Sequence, residues 1–510
     1  MGDAVLQPPV TISLRRLFPQ ASFVDCADLR TTHVTADSRQ CRSKSLFAVI
    51  RGQRQDGRQF IHEALERGAA GLITEQPLPD VPAPQCIVQD VRGAYAEICS
   101  VLHNQPSRHL KVAGVTGTNG KTTVTWMVRS VLESIGERCG LLGTVEYSDG
   151  WSTAPSVLTT PGPEVQAEWL AQMVRRGAAF AALEVSSHAL DQRRVQGTQF
   201  ACGAITNITR DHFDYHGDFG SYQSAKARLF QQIRPGGLVV LNRDDAGAWD
   251  LHSRIDSSLR LVACSLETGA DVSARIQEQS LRGTRFQLSL HGQRVDCHTT
   301  LIGRHNLANC LTAAALLHDL GLSAEQIAAG LGQFHTAPGR LERIATGQPF
   351  DVFVDYAHTD DALERCLTGL RSLTPGRIIV VFGAGGDRDR AKRPLMGRAA
   401  VAADIQIVTS DNPRSEPPQR IIADILAGMP AGEPLVEPDR ALAIRLAVDL
   451  AQPGDCVLIA GKGHEREQII GSERLPFDDC QVVRTALARL AIERGQRLPA
   501  SHALPFAQVG

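Results

Sequence analysis

The chain reads as an α/β protein of three domains, and three observations carry that reading. It is long, short apolar runs alternate with helical patterns along most of it, and a glycine-rich loop joins one such run directly to a helix. At 510 residues it exceeds what one core organises, and length alone suggests about three domains. The 43% hydrophobic and 21% charged fractions are ordinary for a globular protein and exclude disorder or fibre as the class. A net charge of −2 supplies no global basic field, which argues against nucleic acid as the partner.

The first segment, 1–108, runs strand SLFAVI, helix FIHEALERG and strand GLIT, with the proline-rich PLPDVPAPQ before strand CIVQ. This is a small α/β unit. The second, 109–336, starts with the glycine-rich loop and continues through AALEV, CGAIT, GGLVVL and LRLVAC. Helical patterns between most of these runs predict a mainly parallel sheet covered by helices. The third, 337–510, carries DVFVDYAH, RIIVVFGAGGD, IQIVTSDNPR and DCVLIAGKGHE, each ending in a polar or glycine-rich loop. In an open, Rossmann-like sheet such loops line one crevice beyond the strand ends. From Pro499 the composition is that of a loose tail.

Twelve cysteines lie scattered without a CxxC pair, the pattern of reduced thiols, so the cytoplasm is the expected compartment. The start lacks a basic region followed by a long apolar one, and no apolar run reaches membrane-spanning length. Neither export nor a membrane is expected.

The loop KVAGVTGTNGKTT (111–123) is the strongest chemical signal. Its glycines let backbone N–H groups approach phosphate oxygens, Lys121 brings a point charge, and the Thr122 hydroxyl suits Mg²⁺. The helix that follows turns its positive end toward the anion. The ordinary P-loop spacing wants glycine at 115, where Val115 stands; the available glycines are Gly114 and Gly117.

Other candidates sit at strand ends. Glu184, before Ser186, Ser187 and His188, serves a metal or caps the next helix. Asp211, His212, Asp214 and His216 crowd one short run; oxygen-rich company suits Mg²⁺ better than zinc, and His212 is either a metal neighbour or structural. Lys226 falls on the apolar stripe of SYQSAKARLFQQI, either useful there or snorkelling to water. Pro413 stiffens TSDNPRSEPP, placing Asp411, Asn412 and Arg414 before a helix that Pro417 and Pro418 would start, with Arg414 able to fork onto a carboxylate. GAGGDRD lacks the third glycine of a dinucleotide fingerprint, so Arg388 reads as a second anion-binding arginine.

Taken in order, TGTNGKTT, EVSSH, RDH, the helical Lys226, GRHNLAN, APGRLE, DYAHTDD, GGDRD, DNPR and GKGHE resemble the Mur ligase family over residues 30 to 480. The resemblance implies an ATP-dependent, cytoplasmic, monomeric amide ligase of bacterial cell-wall precursor synthesis. Its domains would hold in turn a UDP-linked substrate, ATP with Mg²⁺, and an incoming amino acid. DNPR points to members that add meso-2,6-diaminopimelate to UDP-N-acetylmuramoyl-L-alanyl-D-glutamate. By motif, Ala36, Ser38, Gln53, Arg54 and Gln55 would meet the UDP end, and Leu158, Thr159, Thr160, Ser186, Gln192 and Arg194 the muramoyl peptide. Leu158 stands where members usually carry Asn, so one contact is expected to differ. ATP would meet Gly117, Thr118, Asn119, Gly120, Lys121, Thr122 and Thr123, with Asn306, Asn309, Arg340, Asp355 and His358. Lys121, Glu184, His212 and Lys226 would do the catalytic work. Thr122, Glu184, His212 and Lys226 would serve the metal, Lys226 as the family's carbamylated lysine (N6-carboxylysine). Arg388, Asp411, Asn412, Pro413, Arg414, Gly461 and Glu465 match the diaminopimelate pocket. A lysine-adding relative and a folylpolyglutamate synthetase are rivals within the same chemistry. A regulatory nucleotide-binding protein would explain the loop alone, but the chain has no Asn-Lys-x-Asp run for guanine.

Overall fold

The computed structural model describes residues 11–52, 55–267, 269–430 and 434–493; Gln53, Arg54 and the tail from Pro499 lie outside the described residues. Three large sheets divide the chain. The first has five strands, with Ser45–Ala48 between the edge strand His33–Thr35 and the central strand Ala69–Thr74 in parallel pairing. Helix Val91–Leu102 covers it, burying Val91, Tyr95 and Ile98. FIHEALERG forms a 3-10 turn, Gly57–Phe60, before a short helix, Ile61–Glu66.

The central sheet has eleven strands. Lys111–Thr116 lies between Phe180–Glu184 and Phe200–Ile205, both parallel to it. These strands are buried throughout their apolar runs, as a sheet covered on both faces requires. Helix Lys121–Ser134 leaves the glycine loop and packs with helix Arg304–Leu320 in one core, while Leu142, Leu183 and Tyr222 belong to the core of the opposite face. The parallel expectation holds for the middle of this sheet and fails at its edges. Val272–Ser280, Gly283–Leu290 and Gln293–Thr299 form an antiparallel meander. The alternation of buried Thr284, Phe286, Leu288 and Leu290 with more exposed neighbours explains it: one face seals the core and the other meets water.

The helix expected over SYQSAKARLFQQI is helical at Phe219–Ala227 and tightens to a 3-10 turn over Arg228–Gln232. Strand Ile233–Asn242 starts at the next residue, so the chain must turn at once, and the tighter helix does this in fewer residues. All twelve cysteines are free thiols, eleven of them buried. No helix among the described residues is long and apolar enough to cross a membrane.

In the third sheet, of six strands, Asp351–Asp355, Cys456–Ala460, Ile378–Phe382 and Ile405–Val408 run parallel. Their carboxyl ends open on one side, as the sequence suggests. Beneath that opening Arg440 and Asp479, each the first residue of a helix, form a wholly buried ion pair at 2.7 Å. Arg440 also donates to the Ala460 carbonyl at 3.0 Å. Replacing Arg440 with alanine strands the Asp479 carboxylate in the core. Urea unfolding of Arg440→Ala should show a loss of about 3–5 kcal/mol; an unchanged midpoint would show that the pair does not hold this domain.

Candidate active site

The glycine loop is shaped by backbone geometry that side chains would spoil. Gly120 takes φ +87°, and a Cβ there would stand 2.4 Å from Asn309 Oδ1; at Gly117 it would stand 1.9 Å from Thr206 Oγ1. Asn309 thus touches the loop, and its amide donates to Asn306 at 3.3 Å. Lys121 folds back so that its ammonium donates to the Gly117 and Thr118 carbonyls at 2.8 and 2.9 Å. Burial lowers its pKa, with Glu184 pulling the other way.

Glu184 is a buried acceptor rather than a helix cap, since Ser186 caps that helix. It receives the Thr122 hydroxyl at 2.9 Å, the Thr144 N–H at 2.7 Å and the Thr144 hydroxyl at 2.8 Å. Thr122 in turn accepts from Arg340 Nη2 at 3.0 Å, although Arg340 belongs to the third segment. The Arg340 guanidinium lies 4.6 Å over the Tyr356 ring, and its buried Nε has no hydrogen-bond partner among the described residues. A second link crosses the same gap. Asn119 Nδ2 and Thr209 Oγ1 both donate to Asp361 Oδ2, at 2.9 and 3.1 Å.

These groups enclose a cavity of about 250 Å³ that also takes in Thr118, Thr123, Asn306, Asp355, His358 and His212. Asp355 accepts the Leu341 and Ala357 N–H groups at 2.6 and 2.7 Å, and burial raises its pKa. Burial also pushes His358 down to about 4. His212, at φ +54°, caps a short helix and packs edge-on to His188 at 4.8 Å; desolvation likewise lowers its pKa.

Lys226 is only 1% exposed. Its ammonium lies 4.5 Å over the Tyr222 ring, and it joins no ion pair among the described residues. Burial, reinforced by Lys121, drives its pKa well below the ordinary lysine value. The snorkelling alternative therefore fails, because the amine does not reach water.

Thr160 accepts the Ser186 N–H at 3.0 Å and donates to the Glu184 carbonyl at 2.8 Å. Arg194 donates to the Thr160 carbonyl at 3.0 Å and to Gln192 Oε1 at 2.7 Å, and Thr159 accepts from Thr144 at 3.2 Å. The expected peptide-binding run is thus one network beside Glu184. Leu158 joins it only through its backbone, held by the Tyr147 hydroxyl at 2.6 and 3.0 Å, while the residue stays exposed. In the first domain Ser38 donates to Glu63 at 2.6 Å, and Ala36 and Gln55 are exposed. The Arg193–Asp90 pair at 3.3 Å ties that domain to the Arg194 region.

A larger cleft of about 1480 Å³ extends between the central and third domains, past Thr144, Val157, Asn412, Arg414 and Glu465. Arg414 adopts φ +51°. Its backbone is clasped by hairpin residues, N–H to the Ile469 carbonyl at 3.0 Å and C=O from the Gly471 N–H at 2.8 Å. Its side chain donates to the Gly386 carbonyl at 2.8 Å. Pro413 backs that loop, since a Cβ on Gly386 would stand 1.8 Å from the Pro413 carbonyl oxygen. Asp411 is buried against Gly461. Arg388 is exposed and makes no hydrogen bond or ion pair among the described residues, though its Cγ lies near Gly385 beside Arg414. Motif reading passed over Thr144, Tyr356, Asp361 and Lys462. Asp361 lay inside the quoted DYAHTDD and Lys462 inside GKGHE, but nothing in those letters says which side chain crosses to another element.

The oxygen set of Thr122 and Glu184 fits Mg²⁺, which takes few protein groups and completes its shell with water and phosphate. Among the described residues no three His, Cys, Asp or Glu side chains form a ready-made metal cluster. The unpartnered Arg340 Nε and the glycine cradle fit a polyphosphate.

Three family profiles match the chain: the Mur ligase family catalytic domain at 30–101, the Mur ligase middle domain at 115–317 and the Mur ligase glutamate ligase domain at 339–463. A UDP-N-acetylmuramoyl-L-alanyl-D-glutamate--2,6-diaminopimelate ligase of Geobacillus kaustophilus is 42% identical over 460 residues, covering 88% of this chain and 94% of the relative. One of the same name from Gloeobacter violaceus is 43% identical over 468 residues, covering 91% and 95%. A solved structure bearing that name superposes with a TM-score of 0.68 at 32% identity, covering 94% of this chain and 99% of the other. The Mycobacterium tuberculosis folylpolyglutamate synthase, solved with ADP and AMPPCP, shares the fold at 20% identity and a TM-score of 0.61, covering 73% and 93%.

Gly120→Ala forces both a left-handed alanine and a clash with Asn309. ADP affinity measured by calorimetry should fall on the order of tenfold or more; wild-type affinity would mean that the loop geometry does not set nucleotide binding.

Proposed function

The chain belongs to the Mur ligase family, and on that premise we infer that it is an ATP-dependent amide ligase joining meso-2,6-diaminopimelate to the D-glutamyl γ-carboxylate of UDP-N-acetylmuramoyl-L-alanyl-D-glutamate in peptidoglycan precursor synthesis. The observation that carries the reading is the crossing of Arg340 and Asp361 onto the phosphate loop. It makes the nucleotide cavity and the cleft at Arg414 parts of one site. We place the domain boundaries near 108/109 and 336/337 and the protein in the cytoplasm as a monomer.

The first step brings a carboxylate against a polyphosphate, anion against polyanion. Lys121 and Arg340 would offset that repulsion and stabilise charge on the transferring phosphoryl group, a reaction catalysed mainly by positioning and electrostatics. Mg²⁺, held by Thr122 and Glu184, would add to the same stabilisation. The product is an acyl phosphate, which the amine of diaminopimelate attacks through a tetrahedral intermediate; phosphate leaves and an amide remains. Contact between the two domains would keep water from the acyl phosphate. Thr159, Thr160, Ser186, Gln192 and Arg194 would orient the dipeptide, Ala36, Ser38 and Gln55 the uridine end. Asn306, Asn309, Asp355 and His358 would line the nucleotide.

Lys226 fits the carbamate role chemically. Only a neutral amine adds CO₂, and burial shifts this one toward its neutral form. The resulting anion would join His212 and Glu184 at a metal and relieve the positive field around Lys121.

Phosphate release from ATP and the UDP-muramoyl dipeptide should depend on meso-diaminopimelate and fail with L-lysine; release with neither amino acid would refute the ligase reading. Lysine leaves Arg414 without its carboxylate, and sites built on such a contact reject the analogue by roughly ten-thousand-fold. Arg414→Ala should lose most activity with diaminopimelate while ADP binding survives, and an undiminished rate would remove Arg414 from selection. In Lys226→Ala phosphate release should collapse and recover in part with a short-chain carboxylic acid; wild-type activity would exclude the carbamate.

A further inference from the structure

Lys462 lies at the end of strand Cys456–Ala460, is 0% exposed and does not line the cleft. Its ammonium donates to Asn412 Oδ1 at 3.0 Å and to Glu465 Oε2 at 2.9 Å. Asn412 Nδ2 donates to the same Glu465 oxygen at 2.7 Å, which closes a ring of three side chains from two loops. The Ile469 N–H adds a further bond to Asn412 Oδ1 at 3.0 Å. Glu465 and Asn412 face the cleft beside Arg414, so Lys462 touches the pocket only from behind.

A buried ammonium is costly unless paired, and a methionine would fill the same space without that cost. The charge must therefore act on something. This part of the third domain carries two acids, Asp411 and Glu465, and three bases, Arg388, Arg414 and Lys462, while Arg440 and Asp479 beneath them pair with each other. Among the described residues Lys462 is the cation that pairs with Glu465. Without it the Glu465 carboxylate would be left to attract an ammonium.

We propose that Lys462 is a positioning and selectivity residue of the amino-acid pocket: it fixes Glu465 and Asn412 in one arrangement and offsets the Glu465 charge, so that an amino acid ending in an ammonium alone gains little there. The proposal rests on the diaminopimelate reading above and adds a residue to it. A merely structural lysine would alter stability and every substrate alike. The proposed role alters one substrate and its discrimination.

The test compares steady-state phosphate release by wild type, Lys462→Gln and the double variant Lys462→Gln/Glu465→Gln, with meso-diaminopimelate and L-lysine, and measures ADP binding to each. In Lys462→Gln the KM for diaminopimelate should rise on the order of tenfold or more. The ratio of kcat/KM for diaminopimelate over lysine should fall by a similar factor, while ADP affinity and the KM for the UDP-dipeptide stay at wild-type values. The double variant restores the charge balance and should regain part of the discrimination. Unchanged discrimination in Lys462→Gln, or parallel losses for ATP and the dipeptide, would overturn the proposal. So would a double variant no more selective than the single one. Wild type that ignores both amino acids would instead refute the ligase reading, which separates the two failures.

Discussion

The glycine loop and the first turn of the helix that follows it each hold a residue of another domain: Asn119 donates to Asp361, and Thr122 accepts from Arg340. Most of the functional geometry depends on that crossing. The phosphate loop alone is a half-site, open to water on the side where the acyl phosphate must survive. With Arg340 and Asp361 in place, the third domain closes the nucleotide cavity and its own cleft begins where that cavity ends. Charge-assisted hydrogen bonds such as these are strong when shielded and weak when wet, so the contact and the dryness of the site support each other.

The central domain must gather positive charge for an anionic reaction without letting it destabilise the fold. Its means are visible in the partners. Lys121 is satisfied by two carbonyls of its own loop. Glu184 is held by a hydroxyl and by both polar groups of Thr144, which leaves a carboxylate oriented rather than free to swing. Lys226 is the exception, a buried amine over an aromatic ring with no ion pair among the described residues. Desolvation pushes such a group toward its neutral, chemically reactive form.

In the third domain the loops at the cleft are held rigidly. Arg414 is kept in a left-handed conformation by a hairpin that bonds its N–H and its carbonyl, and Asn412 is pinned by Lys462 and Ile469. Strained backbone of this kind persists only where the surroundings over-determine it. On the proposed reading, a pocket so held would discriminate by leaving polar groups unpaired when the wrong side chain enters.

Much of this was legible in the letters. The parallel strands, the three-domain division into α/β units and the phosphate loop all rest on local patterns: apolar runs, period and glycine spacing. The antiparallel edges of the central sheet were missed because their alternation was overshadowed by the parallel rule drawn from the middle, and the tightened turn after Lys226 because its cause, a strand starting at Ile233, lies outside the helix pattern. Motifs named candidates that the fold brings to one cleft, as with Asn412 and Arg414. Arg388, read from GAGGDRD, is exposed beside Arg414. Sequence by itself determined the fold class, the polyphosphate grip and the family, since each is written in contiguous residues. Only tertiary structure decided that Arg340 and Asp361 reach across to Thr122 and Asn119, that Thr144 holds Glu184, and that Lys462 lies behind Glu465. Those facts are distances between segments far apart in the chain, and the packing of whole sheets and helices sets such distances.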